Sequence, residues 1–553
     1  MVWHVSLDFD TYEQAREEFA WDFPDDYNIA WDCLRKHDDA DRPALYQAYP
    51  DGRRETYTFQ ELDELSNQVA HALAERGVEY GDRVAVVVPQ KPANPLTHLA
   101  CWKLGAVSLP LSVLFGPDAL RYRLADSESR VVVADESMLD TVREVRGECP
   151  DLEHVVAVGA DDTPDDAEPF EAFHADQPET FEIAATVEET PAIIMYTSGS
   201  TGPPKGVLHT HGLWAGHCAA FRMYFEQDVF DSVYWTPADW AWIGALGDLL
   251  FPAWHYGQPV VGYPMEGFDA ETAFDLCEEF DVTNAFLPPT AIRMMMNTAN
   301  PTETFDLSLA AICTGGEPLT PEILDWAADQ LEGVVVNELY GQTEANLLVT
   351  NCRQWFPARA GSMGKPVPGH EVAVIDSESG QRVPDDEVGM IAVRHGDDPV
   401  IFREYWNDPE KTEAVRVDAA DGGEPWHLTG DLGYRDEDGY FWFKARDDDV
   451  IITSGYRVGP GEVESAILEH PGVEQVAVVG VPDDTRGEII KAFVQPVGAA
   501  TDNYDDLRGE IQQLVKRRLA KYEYPREIEF VADLPTTTTG KIQRRKLRDR
   551  DTE

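Results

Sequence analysis

Tyr196-Thr197-Ser198-Gly199-Ser200-Thr201-Gly202-Pro203-Pro204-Lys205-Gly206-Val207 follows an apolar run, Ala192-Ile193-Ile194-Met195. That run reads as a buried strand. From Thr197 to Val207 there are three glycines, four hydroxyl side chains and one lysine. Glycine lets the backbone approach an anion closely, while N–H groups and hydroxyls donate to it. Lys205 adds a positive charge, so the stretch reads as a polyphosphate-binding loop. It is not a Walker A loop, which needs Ser or Thr directly after Gly-Lys, because Gly206 follows Lys205. A flexible Gly/Ser linker would not explain the strand before it or the single lysine after two prolines.

Downstream, strand-like Ala311-Ile312-Cys313-Thr314 leads to Gly315-Gly316-Glu317-Pro318, and Val334-Val335-Val336 leads to Asn337-Glu338-Leu339-Tyr340-Gly341-Gln342-Thr343-Glu344. Both place a polar, glycine-containing loop after a buried strand, where open α/β sheets bind ligands. Upstream, Phe59 to Leu73 has apolar residues at helical spacing, residues 83–88 read as a strand, 96–104 as a helix, 107–111 as extended and 130–134 as a strand. Helix–strand alternation of this kind predicts an α/β fold with helix-flanked parallel sheets. Residues 159–187 are acidic and aperiodic and are expected to form a surface excursion. The last hundred residues read as a small α+β domain, with a helix over about 461–470, a strand over 475–479 and a helix over 505–519.

The 553 residues call for more than one domain. At 43% hydrophobic the chain can fill a core, and no apolar run reaches the roughly 18 residues of a membrane span. No secretory signal is visible at Met1–Asp10, and the seven cysteines are scattered without a CxxC pair. Reduced thiols in a cytoplasmic protein are therefore expected. The chain carries 102 acidic and 44 basic residues, net −58, and only 12 of the basic residues are lysine. A surface of that charge repels itself unless salt screens it. This predicts a salt-adapted protein from a halophile and argues against sequence-independent nucleic-acid binding.

With these motifs in order, the chain resembles the adenylate-forming (AMP-forming) acyl-CoA synthetase superfamily, closest to medium-chain acyl-CoA synthetases. The further motifs that carry the resemblance are Thr429-Gly430-Asp431, Lys444-Ala445-Arg446, Ser454-Gly455-Tyr456-Arg457-Val458-Gly459-Pro460, Lys521-Tyr522-Glu523-Tyr524-Pro525-Arg526 and Thr539-Gly540-Lys541. The resemblance implies an N-terminal AMP-binding domain (1–447), with a β-barrel-like subdomain, and a small mobile C-terminal domain (448–553) turning about a hinge at Asp448. It implies ATP, Mg²⁺ and CoA as cofactors and co-substrates, and a small carboxylic acid as substrate.

Carried onto this chain, Thr197, Ser198, Gly199, Ser200, Thr201, Gly202 and Lys205 hold the phosphates, Gly316, Glu317 and Pro318 flank the adenine, and Glu338, Tyr340, Gly341 and Gln342 belong to the cofactor-binding set. Asp431 and Arg446 take the ribose, Arg457 and Gly455 complete the nucleotide and CoA set, Thr343 faces phosphate and Glu344 holds the metal. Lys541 neutralises charge during adenylation, and Trp240, Trp242, Ile243, Gly244, Gly315 and Gly341 line the acid pocket. Acetyl-CoA synthetases resemble this chain but carry Trp at the place of Gly341, so Gly341 and Gly315 are expected to leave space for an acid larger than acetate. Ala445 stands for the family's usual Gly, and Ala345-Asn346 for its Thr-Gly. The alternatives are an acetate or aromatic-acid CoA ligase, a stand-alone adenylation enzyme loading a carrier-protein thiol, a luciferase-like oxidase, and a non-catalytic acidic binding protein. The oligomeric state stays open between monomer and homodimer.

Overall fold

The computed structural model describes residues 2–160, 163–197, 203–298, 300–316, 319–396, 398–453, 456–483, 487–498, 504–519, 523–536 and 542–550. Two large sheets carry the strands between residues 43 and 366, with Glu404–Tyr405 added to one of them. One runs Glu404–Tyr405, Lys205–Thr210, Pro191–Thr197, Val107–Pro110, Arg83–Val87, Val131–Asp135, His154–Val158, Glu168–Pro169. From Pro191–Thr197 onward its strands are parallel. The other runs Lys365–Pro366, Asn346–Thr350, Val335–Gln342, Ala311–Gly315, Asn284–Phe286, Tyr234–Trp235, Val260–Gly262, Pro43–Ala48, Arg54–Thr58. Its central strands are parallel and its margins antiparallel.

Strands such as Val131–Asp135 are buried along their whole length, which is why they read as continuous apolar runs and not as alternation. The helices Ala93–Leu104 and Leu213–Tyr224 are buried almost all round. They lean on the first and second sheet respectively, so an apolar helix face is covered on every side. The exposed-edge helix Phe59–Glu75 starts with a capping box. The Glu61 backbone N–H donates to Thr58 Oγ1 and the Thr58 N–H donates to the Glu61 carboxylate.

A third sheet forms the barrel-like subdomain as five antiparallel strands: Val372–Ile375, Gly389–Arg394, Trp426–Arg435, Arg416–Val417 and Phe441–Arg446. The fourth belongs to the small C-terminal domain: Tyr456–Val458, Ile451–Thr453, Gly487–Pro496, Val473–Asp483, with Glu527–Phe530 parallel on the long central strand. Helices Pro460–Leu468 and Asp505–Arg518 cover it. The two domains meet where Gly459 presses on the Lys444 carbonyl, a contact with no room for a Cβ (2.6 Å), and where Lys444 pairs with Glu462. Asp449, next to the expected hinge, is held by Arg544 and Arg548 of the terminal helix Arg544–Asp549.

Three expectations change. Residues 159–187 are not a free excursion. Phe170 and Phe173 are buried in the main core, and the carbonyls of Gln177, Glu179 and Thr180 accept hydrogen bonds from Gln68, Asn67 and His71. Residues 337–342 are strand and not loop, because Leu339 and Tyr340 pair with Thr350 and Val349. After Thr197 the next described strand, Lys205–Thr210, returns antiparallel to Pro191–Thr197. All seven cysteines are buried and unpaired, and among the described residues no helix is long and apolar enough to cross a membrane.

Candidate active site

Backbone pairing sets Thr197 opposite Lys205 at the mouth of the hairpin, so the ends of the glycine-rich stretch are fixed by sheet hydrogen bonds. Ser198, Gly199, Ser200, Thr201 and Gly202 lie outside the described residues. Glu404–Tyr405 adds to the far side of Lys205–Thr210. This brings the Tyr405 ring to 4.7 Å from Lys205 Nζ, in cation–π contact. The Tyr405 hydroxyl donates to Glu344 Oε1 at 2.7 Å. One tyrosine therefore joins the lysine of the phosphate loop to the carboxylate expected to hold metal, although the three residues are far apart in the chain. The Phe402 N–H donates to the Glu344 carbonyl, and His209 Nε2 lies 2.6 Å from the Thr343 carbonyl. Burial drives the His209 imidazole down to about 3, so it is a neutral donor that pins the turn carrying Thr343 and Glu344.

A second cluster lies where the nine-stranded sheet meets the third. Tyr340 donates to Asp431 Oδ2 at 2.8 Å, and Arg446, the register partner of Asp431, reaches its Oδ1 at 3.2 Å. Gln342 Nε2 donates to the Thr429 carbonyl, and Thr429 Oγ1 accepts from the Asp431 N–H. Asp431 is nearly buried whereas Arg446 is 38% exposed along its side chain, so the arginine is the member that faces outward.

Gly316 is exposed at φ +88° with nothing near it, at the end of Ala311–Gly315. Glu317 and Pro318 lie outside the described residues. Glu338 is buried beneath this turn. Its Oε2 accepts from the Leu319 N–H at 3.0 Å, and burial pushes its carboxyl up to about 8. Near neutrality the folded state thus holds a proton that the unfolded chain releases from about pH 4.5. Stability from this group falls as pH rises from about 4.5 to 8 and is flat above. Glu338→Gln, which keeps shape without the charge, is expected to raise the melting temperature above pH 8, where the cost removed approaches roughly 4–5 kcal/mol. At pH 5 it should change little. Equal shifts at both pH values in thermal melts would contradict this.

The space argued from two glycines is corrected by geometry. A Cβ on Gly341 would sit 1.4 Å from the Asn346 carbonyl oxygen, and one on Gly315 2.4 Å from Leu339 Cδ1. Gly341 follows a register shift between Tyr340 and Gly341 in the Val335–Gln342/Asn346–Thr350 hairpin. Its side-chain direction is filled by backbone and not by a pocket. Trp240 is likewise fully buried, in close contact across the sheet with Gly262, and presents no surface to a ligand. Trp242, Ile243 and Gly244 do keep accessible surface, between buried Ala241 and buried Ala245. Trp242 meets Phe115 edge-on, and Gly244 faces Phe286. Two residues missed by sequence reading set this segment. Gln90 donates to the carbonyls of Thr236 and Ala238, and Ser112 donates to Asp239, whose Oδ1 accepts from the Ala241 N–H.

Gly455, Lys541 and the side chains of Asp448 and Arg457 lie outside the described residues. The acid at the linker whose contacts are described is Asp449.

The chain matches the AMP-binding enzyme family over residues 34–406 and the AMP-binding enzyme C-terminal domain over 462–541. It is 37% identical over 544 residues to the mitochondrial acyl-coenzyme A synthetase ACSM4 of Rattus norvegicus, covering 96% of this chain and 91% of that one. It is 36% identical over 531 residues to the acetyl-coenzyme A synthetase of Bacillus subtilis, covering 94% and 90%. The crystal structure of the anthranilate CoA ligase AuaEII with anthranoyl-AMP superposes with a TM-score of 0.84 at 29% identity, covering 96% of this chain and 98% of that one. The chain therefore belongs to the AMP-binding enzyme family, as an ATP-dependent, AMP-forming acid–CoA ligase.

Proposed function

We propose that the acid is larger than acetate, and that the two clusters above divide the nucleotide between them. The observation that carries the assignment is the Lys205–Tyr405–Glu344 chain of contacts at the hairpin mouth. It sets a cation for phosphate beside a carboxylate for a cation, while Asp431 and Arg446 are the pair proposed to meet the nucleotide. Glu344 Oε1 is occupied by Tyr405 but the carboxylate keeps a second oxygen, which fits Mg²⁺ held by one protein carboxylate plus phosphate oxygens. When bound, Mg²⁺ would supply charge neutralisation of the phosphates.

The chain's own residues would do the rest. Lys205 and the glycine-rich stretch hold the leaving pyrophosphate, and Lys541 offsets charge as the ionised acid meets the α-phosphate. The carboxylate needs no general base, so the first half-reaction is positioning and electrostatics. CoA thiol then displaces AMP, after the C-terminal domain turns about Asp448 and brings Gly455 to the thiol path. The accessible patch Trp242–Gly244 beside Phe286 supports an acid with more than one CH₂ to bury, each contributing about 0.8 kcal/mol. The charge of −58 supports a cytoplasmic protein of a salt-rich cell.

The test is mass spectrometry of the products formed from ATP, CoA and a panel of C2–C12 and aromatic acids. Acyl-CoA and AMP in equal amounts, with an optimum beyond acetate, is the expected result; an optimum at acetate overturns the size assignment. Tyr405→Phe removes the hydrogen bond to Glu344 while keeping the ring over Lys205. It is expected to raise KM for MgATP about 5–10-fold, equivalent to roughly 1 kcal/mol, with KM for the acid unchanged. Steady-state kinetics at varied MgATP checks it, and an unchanged KM would detach Tyr405 from the metal site.

A further inference from the structure

Asp248 is an acid in an otherwise apolar setting. It lies in the π-helical turn Leu246–Leu250, between Ile243–Ala245 and Phe251–His255, and every residue of the turn is buried. A carboxyl group there carries a desolvation cost that natural cores avoid unless the group is paired. Single π turns of this kind concentrate at functional sites. The pairing of Asp248 is incomplete. Its nearest polar neighbour is His217 of the buried helix Leu213–Tyr224, with Nδ1 3.3 Å from Oδ1. That approach lacks hydrogen-bond alignment, so Asp248 Oδ1 and both ring nitrogens of His217 have no hydrogen-bond partner among the described residues. The Tyr224 hydroxyl donates to the Asp248 backbone carbonyl and leaves the carboxyl free. A purely structural buried pair would have its polar atoms satisfied.

The two carboxyl oxygens differ. Oδ1 is sealed on the His217 side. Oδ2 lies 3.4 Å from where a Cβ on Gly244 would sit, a place that the Phe286 ring edge approaches to 3.0 Å. The Asp248 side chain keeps 6% of its surface accessible while His217 keeps none, and Gly244 and Ile243 are the accessible residues next to it. Gly247 closes the rear. A Cβ there would lie 2.6 Å from both His217 Cε1 and Trp214 Cζ3, so the missing side chain lets the turn press onto the histidine and fixes the direction of the carboxyl. The result is a carboxyl oxygen beside the accessible Trp242–Gly244 segment, with an imidazole on its other side.

We propose that Asp248, positioned by His217, reads a hydrogen-bonding substituent on the acid away from its carboxylate, so that the preferred substrates are hydroxy- or amino-substituted acids and not plain alkyl or aryl ones. This rests on the Trp242–Gly244 segment lining the acid site, as proposed above. An unsubstituted tail laid against Oδ2 would leave the buried carboxyl without its partner, and sites of that design reject the analogue that lacks the group more strongly than apolar pockets reject an extra methylene. Asp248 is a specificity residue here. It takes no part in adenylate or thioester formation.

The experiment is acid-dependent ATP–pyrophosphate exchange by the full chain with matched pairs: hexanoate against 6-hydroxyhexanoate, and benzoate against its hydroxy and amino derivatives. Wild type, Asp248→Asn and Asp248→Leu are compared, each with a thermal melt to show that it folds. At least one substituted acid is expected to exceed its plain partner in kcat/KM by about 10⁴-fold. Asp248→Leu is expected to collapse or reverse that ratio, and the near-isosteric Asp248→Asn to retain most of it. Wild type favouring the plain acid of every pair overturns the inference and leaves the ligase reading standing. So does a folded Asp248→Leu, or a folded Asp248→Asn should the leucine variant not fold, that changes both members of a pair by the same factor. Exchange with no acid at all, from folded wild type, overturns the acid-site reading and this inference with it.

Discussion

Lys541→Ala is expected to lower acid-dependent ATP–pyrophosphate exchange by about 10²–10³-fold, the size of effect seen when one preorganised charge-stabilising group is removed. It is expected to leave thioester formation from supplied acyl-adenylate within about threefold of wild type, on the same scale. The asymmetry follows from the chemistry. Adenylation brings an ionised acid to a polyphosphate, so the barrier is dominated by like charges. Thiol attack on the adenylate has no such meeting of anions and, in the proposed mechanism, follows a domain rotation that would withdraw this lysine. In a chain with 12 lysines among 553 residues, a lysine directly after four threonines and a glycine is a position seldom filled by accident. Equal loss in both half-reactions would assign Lys541 to folding or to closure in general, and no loss in either would remove it from the mechanism.

The second large effect concerns salt. Lowering KCl from about 1 M to 0.1 M lengthens the screening distance from roughly 3 to 10 Å, and with 58 uncompensated acids neighbouring carboxylates then feel one another. The melting temperature is expected to fall by at least ~10 °C over that range, with exchange activity falling in parallel. Buried pairs such as Lys36–Asp32, whose side chains are almost inaccessible, are screened little and do not oppose the trend. A melting temperature that is constant or higher at 0.1 M would contradict the salt-adaptation reading.

Sequence reading placed the strand before Thr197, the helix-flanked parallel sheets and the order of the motifs, because buried parallel strands and amphipathic helices leave strong local periodicities. It missed what depends on distant pairing. Tyr405 reaches Glu344 and Lys205 only because Glu404–Tyr405 adds to the hairpin edge, and a two-residue strand leaves no pattern. His209 meets Thr343 across 134 positions. Residues 337–342 read as loop because polar residues and a glycine crowd them, yet cross-strand partners make them strand. Gly341 and Gly315 illustrate a general trap. An absent side chain marks a place where something comes close, and here what comes close is backbone and Leu339, not substrate. Asp248 was hidden for the opposite reason, since one acid in an apolar run looks like noise until the fold shows which way each oxygen faces.

The most direct measurement is ATP–pyrophosphate exchange by wild-type protein in about 1 M KCl, with and without Mg²⁺, with and without acid, over the full panel of carboxylic acids. The proposed reaction predicts exchange that requires both an acid and Mg²⁺ and needs no CoA. Exchange that is independent of acid, or none with any acid from protein shown to be folded, would contradict it.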